Sequence, residues 1–207
     1  MCIKYHARSD NQTVAQLVGC HHAKVGLLVK AGLLDCLNGD VPGAVKYYAT
    51  IDVLERSAEP KWQVHATKVL AGQDIDPAEL RGQFRKPRAR GLQGSPDTST
   101  GLSLTREAVR KEFLEAIKTN PDGTTISALL RDPDLVRILG FRLHDLAPLR
   151  GLGLLKADNQ DLRSAKKLHS REYVLGLALD ISWLADATRA INAYWRAKNG
   201  RKGSGRA

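Results

Sequence analysis

Cys20, His21 and His22 are the first residues in the chain whose types could hold a metal. A structural zinc needs four ligands converging from separate segments. Three neighbours in sequence at a turn and helix start point in different directions, and no second ligand cluster follows. Cys2 and Cys36 form no CxxC pair with Cys20, and an odd count of 3 cysteines argues against a disulfide framework. Tyr47 and Tyr48 come nearest to a nucleophile. A recombinase or nuclease, however, surrounds its tyrosine with arginines or clusters carboxylates around metal ions. Asp132 and Asp134 only flank Pro133 in a helix-breaking turn, and His65, His144 and His169 lack acidic or nucleophilic partners at motif spacing. G-x-S-x-G, P-loop and H-E-x-x-H patterns are absent. The residues therefore predict a non-enzyme without metal or cofactor.

What remains is charge. The 207 residues carry 32 Lys and Arg against 22 Asp and Glu, a formal net charge of +10, the balance of a protein with a polyanionic partner. No apolar run approaches the roughly 18 to 20 residues that span a bilayer. Met1 to Asp10 has charge and no apolar signal core. The expectation is a cytoplasmic protein that binds nucleic acid and not membrane.

The elements that would position those charges repeat. Shifting the sequence by 121 residues without a gap puts Gly19 on Gly140, Leu28 on Leu149, and Gly32-Leu33-Leu34 on Gly153-Leu154-Leu155. In the same register Asn38 falls on Asn159, Val53 on Val174, Trp62 on Trp183 and Ala66-Thr67 on Ala187-Thr188. With only 3 Trp in the chain, a Trp-on-Trp match is hard to attribute to chance. Residues 1–73 read as a first copy and 102–198 as a second. Residues 74–101 read as a basic Pro/Gly-rich linker and 199–207 as a disordered basic tail. A further helix, with Val109, Phe113, Leu114 and Ile117 at helical spacing, opens near Thr105 and ends at Asn120-Pro121-Asp122-Gly123. Copy one has no counterpart of it, because the offset would place it before Met1. Either the first unit is trimmed or the chain is part of something longer.

Each copy carries the pattern of two short helices meeting at a glycine. In copy one Val14, Ala15 and Val18 face inward, Gly19 makes the turn, and Cys20, Val25 and Leu28 point back to the core. In copy two Leu135, Leu139, Gly140, Phe141, Leu146 and Leu149 take those roles, while Pro148 should bend or shorten the second helix. The leucines after Gly32 and Gly153 should begin a strand. Asn38-Gly39 suits a hairpin turn, and Lys46-Tyr47-Tyr48 or Lys166-Lys167-Leu168-His169 would return as a wing. A helix carrying Trp62 or Trp183 closes each unit. Tyr194 and Trp195 either cap the second lobe or meet a partner.

This arrangement resembles the winged helix-turn-helix of MerR-type regulators and phage excisionases. Two such units with a basic tail also resemble the carboxy-terminal region of TniQ-type transposition target-selection proteins, without the zinc-binding region of that family. The resemblance implies a mainly α fold of two tandem helix-turn-helix lobes with small β-wings, and a DNA-binding factor of transcription or DNA mobility.

In this motif the second helix enters the major groove. The candidate contacts are His21, His22, Lys24 and Lys30 in copy one, and Arg142, His144 and Arg150 in copy two. Lys46, Arg163, Lys166 and Lys167 on the wings, with Arg85, Lys86, Arg88 and Arg90 on the linker, would meet phosphate. Double-stranded DNA is the expected partner, bound by a monomer using both lobes or by a homodimer. The alternative is a protein-interaction scaffold within a nucleoprotein complex, which the apolar Leu27, Leu143 and Pro148 would suit.

Overall fold

The computed structural model describes residues 5–39, 44–73, 106–120, 122–159 and 166–203, with side chains through Asn199. Copy one runs β1 (Arg8–Asp10), α1 (Asn11–Val18), a 3-10 turn (His22–Lys24), α2 (Val25–Lys30), β2 (Tyr47–Ala49), α3 (Thr50–Ser57) and α4 (Pro60–Leu70). After α5 (Arg106–Lys118), copy two runs β3 (Leu129–Leu130), α6 (Asp132–Leu139), α7 (Leu143–Gly151), β4 (His169–Ser170), α8 (Arg171–Leu179) and α9 (Ile181–Gly203). The fold is mainly helical with small two-stranded antiparallel sheets.

The 121-residue offset holds for the elements and for the bonds between them. Gly19 and Gly140 end α1 and α6 at φ 75° and 76°, a left-handed cap that glycine adopts without a Cβ clash. The Trp62 indole donates to the Leu33 carbonyl at 2.9 Å, and the Trp183 indole to the Leu154 carbonyl at 2.8 Å. Each tryptophan thereby ties its closing helix to the segment following the second helix. Asn38 donates to the Val45 carbonyl and accepts from the Tyr47 amide; Asn159 does the same with Lys166 and Leu168. Here the amide side chain, with one backbone bond from Leu37 to Tyr47 or from Asp158 to Leu168, holds together what the sequence predicts to be a hairpin ladder.

The wing differs from the expectation in its pairing. Leu33, Leu34 and Leu155 are buried core residues in turns, not strand starts. The returning strand β2 pairs with β1, the segment before α1, in the register Arg8 with Ala49 and Asp10 with Tyr47; β4 pairs with β3 in the same manner. Lys166 and Lys167 precede β4 and lie outside any strand. The physical reason is burial: the leucines satisfy the apolar interior, leaving the backbone edge of the amino-terminal segment as the ladder partner. Pro148 does not shorten its helix, since α7 covers the nine positions equivalent to 22–30. Leu146 and Leu149, both fully buried, hold it in place.

Among the described residues two cores form, and they do not divide between the copies. Val14, Ala15, Val25, Leu28, Leu33, Leu34, Tyr48, Val53, Trp62 and Ala66 make a core within copy one. The other joins Ala7, Leu37, Ala49 and Ile51 of copy one to α5 and the interior of copy two. Strand alternation explains the split, for Tyr48 points into the first core while its neighbour Ala49 points into the second. Helix α5 bridges the copies: Phe113 meets Tyr5 edge-on, and Arg110 and Arg106 pair with Glu55 and Glu59 at 2.5 and 2.8 Å.

Candidate nucleic-acid interface

In copy one the second-helix segment leaves His21, His22, Ala23, Lys24, Leu27 and Lys30 exposed, with Val25 and Leu28 fully buried beneath them. The His21 and His22 rings lie 4.3 Å apart. His21 Nδ1 accepts from the Ala23 amide at 3.4 Å, so one imidazole caps the turn whose outer face it decorates. Lys24 is already engaged within the chain at the surface, its Nζ donating to the Leu70 carbonyl at 2.9 Å at the negative end of α4. Val18 and Cys20 are only partly buried, less than the inward positions expected of them, and burial pushes the Cys20 thiol up. Lys46 is half-buried beside Tyr47.

Copy two presents a different face. Arg150 is held by Asp132 through two bonds of 2.7 and 2.9 Å, so its guanidinium fastens α7 to α6. That pair removes Arg150 from the free outward face where the sequence placed it. Lys166 is exposed, whereas Lys167 Nζ reaches the Asn159 carbonyl at 3.4 Å. Arg142 and His144, at the start of α7, line a cavity of about 480 Å³ between the copies. Helix α9 runs to Gly203, well past the position equivalent to the end of α4, so residues 199–203 of the expected tail continue it, and the remainder of that tail lies outside the described residues. On that extension Trp195 meets His144 edge-on at 5.2 Å between ring centres and donates to buried Asp145 at 2.8 Å, capping the second lobe. Arg85, Lys86, Arg88, Arg90 and Arg163 lie outside the described residues.

No family model, curated protein or solved structure matches the chain.

The junction itself is built around Arg8, which the sequence did not single out. Arg8 sits with its guanidinium carbon 4.0 Å from the ring centres of both Tyr47 and Phe141, one from each copy. Its Nε and Nη2 donate to the Gly140 carbonyl at 3.2 and 2.9 Å. Burial lowers the Arg8 pKa to about 10, so it remains cationic at neutral pH. The Ala7 amide donates to the Ile138 carbonyl at 2.7 Å, and His6 Nδ1 to the Arg137 carbonyl at 2.5 Å. Residues 6–8 thus complete the bonding of the helix end at α6. A lone arginine in an amino-terminal strand carries no sequence signal for this role, because its partners in copy two, Gly140 and Phe141, stand more than 130 positions away. No helix among the described residues is long and apolar enough to cross a membrane, and no metal-ligating cluster forms among them.

Proposed function

We propose that this chain binds double-stranded DNA, with the first helix-turn-helix unit as its reading head and the second as the platform that holds it. The observation carrying this reading is the uncovered outer face of the first unit's second helix. It offers His21, His22 and Lys30 above a fully buried Val25 and Leu28, in a chain of net charge +10. Donors at the start of such a helix suit phosphate and base edges. Lys166 and the basic residues of 81–90 would add sequence-independent phosphate contacts. The second unit contributes less, since Arg150 is already paired and Arg142 and His144 face the junction.

Fluorescence anisotropy with random duplex DNA across a salt series tests this. The Lys30→Ala variant should lower the slope of log affinity against log salt by about 0.9, and Ala at Arg85, Lys86, Arg88 and Arg90 together by about 3 to 4. Absence of binding at low salt overturns the reading.

One observation favours the other reading, a protein-interaction scaffold. The helix-turn-helix corner of copy two, at Gly140 and Phe141, already receives a peptide segment, residues 6–8 of copy one. Intact salt-independent capture of a protein partner by a chain that ignores DNA would mark this as the general use of the fold here.

A further inference from the structure

The cavity between the copies holds an unbalanced charge. Arg8 and Tyr47 enter its wall from copy one, Arg142, His144 and Asp145 from the start of α7, and Asn192 and Arg196 from α9. Three guanidiniums therefore face one carboxylate. Asp145 is itself saturated: it accepts from the Trp195 indole at 2.8 Å and from the Arg142 amide at 3.0 Å. Neither Arg142 nor Arg196 has an acidic partner among the described residues. Asn192 adds a second, independent sign, for its Nδ2 is buried without a hydrogen-bond partner among them. An unpaired buried N–H costs free energy that an acceptor would recover.

The repeat shows that these groups are particular to the junction. In copy one the positions of Arg142, His144, Asp145 and Asn192 are held by His21, Ala23, Lys24 and Ala71. The set arises only where the first copy's β-strands meet the second copy's α7 and α9.

We propose that this cavity binds a small molecule bearing a phosphate or carboxylate group, with Arg142, Arg196 and Asn192 donating to its oxygens. The volume of about 480 Å³ falls within the range of about 300 to 1,000 Å³ typical of small-ligand sites. Arg8 supplies field from behind, fixed by its two bonds to Gly140 and its two aromatic faces. The guanidiniums favour a flat, two-oxygen acceptor over a spherical halide.

Isothermal titration calorimetry of the full chain, without DNA, against pyrophosphate, adenosine monophosphate and citrate tests the site. At least one probe should bind with a dissociation constant of about 1 mM or tighter. Arg142→Gln should weaken it about tenfold or more. Asn192→Asp, which keeps the volume and replaces the donor by a carboxylate, should abolish it. Lys111→Gln removes one positive charge from exposed α5 and should bind as the parent does. Failure of all three probes, or equal weakening by Lys111→Gln, overturns the proposal. So does an Asn192→Asp chain that binds the probes unchanged. If the probes fail while Asn192→Asp weakens duplex DNA binding, the cavity takes a backbone phosphate, which also sinks the small-ligand site. The titration contains no DNA, so its result is independent of whether the chain reads DNA.

Discussion

Replacing Gly140 by Ala and comparing it with Gly19→Ala isolates the docking of one copy on the other. Both glycines cap a helix at the same left-handed φ, 76° and 75°, so alanine costs each about 1 to 2 kcal/mol of backbone strain. The surroundings differ. A Cβ on Gly19 meets nothing within 4 Å, whereas one on Gly140 would lie 2.4 Å from the Arg8 carbonyl oxygen and 3.2 Å from the His6 Cβ. Restoring ordinary contact requires the strand to retreat by about 1 Å. That retreat stretches the 2.7 Å Ala7–Ile138 bond and the Arg8 bonds to Gly140 beyond hydrogen-bonding range, and draws Arg8 from between its two rings. The Ala7 bond and the forked Arg8 pair, which shares one acceptor and is counted once, at about 1 kcal/mol each, with a stacked cation at about 1 kcal/mol, give an excess of about 3 kcal/mol. In a chain of this size the gap corresponds to about 6 to 12 °C in Tm. Urea unfolding followed by circular dichroism, at matched concentration for both variants, measures it. If the two alanines destabilise within about 0.5 kcal/mol of each other, the junction does not contribute as argued.

Three further outcomes are expected. His169 is fully buried, its Nδ1–H donating to the Lys156 carbonyl at 2.7 Å while Nε2 has no partner among the described residues; burial holds its pKa below the usual value. The unfolded chain takes up that proton first, so this group's stability is complete above about pH 6.5 and is lost as pH falls below it. His169→Tyr, copying Tyr48, should flatten the urea midpoint between pH 7.5 and 5.5, and an unchanged pH profile would assign the loss elsewhere. Arg56, bonded to Asp52 at 3.0 Å, Asp35 at 2.6 Å and the Leu33 carbonyl at 3.1 Å, neutralises a buried carboxylate. Arg56→Leu should cost about 3 to 5 kcal/mol, and less in a chain already carrying Asp52→Tyr, the pair that copy two holds as Tyr173 and Leu177; additive losses in the double-mutant cycle would refute that coupling. Trp62→Phe should lose about 1 to 2 kcal/mol by leaving the Leu33 carbonyl without its indole donor, seen as a lower Tm, and no shift would mean that this bond is dispensable.

The repeat was legible because its signal is local and doubled. Gly19 with Gly140 and Trp62 with Trp183 occupy equivalent geometry because the same turn and the same closing helix demand them twice. The buried Val14, Val25, Leu28, Leu135, Leu146 and Leu149 were legible through periodicity. The wing's pairing was not, because a three-residue strand has no pattern that names its partner, and Asn38 and Asn159 side-chain bonds stand beside a single backbone bond where a hairpin would show a ladder. The junction was hidden for a related reason. Arg8, Tyr47, Phe141 and Asn192 acquire meaning only when the copies meet, and each looks ordinary within its own copy. Arg150 misled because a cation on an amphipathic helix reads as outward until Asp132 is found in reach.

Dependence between the copies is uneven. Copy one encloses Trp62, Tyr48 and their neighbours with its own elements, while copy two completes its interior only by taking in Ala7, Leu37, Ala49 and Ile51. Synthesis proceeds from the amino terminus, and units generally fold as they emerge. The first copy's own core can therefore close on the ribosome before the second exists, leaving Ala7, Leu37, Ala49 and Ile51 as the surface on which the second assembles. The order of the duplicated units along the chain matches the direction in which the chain is made.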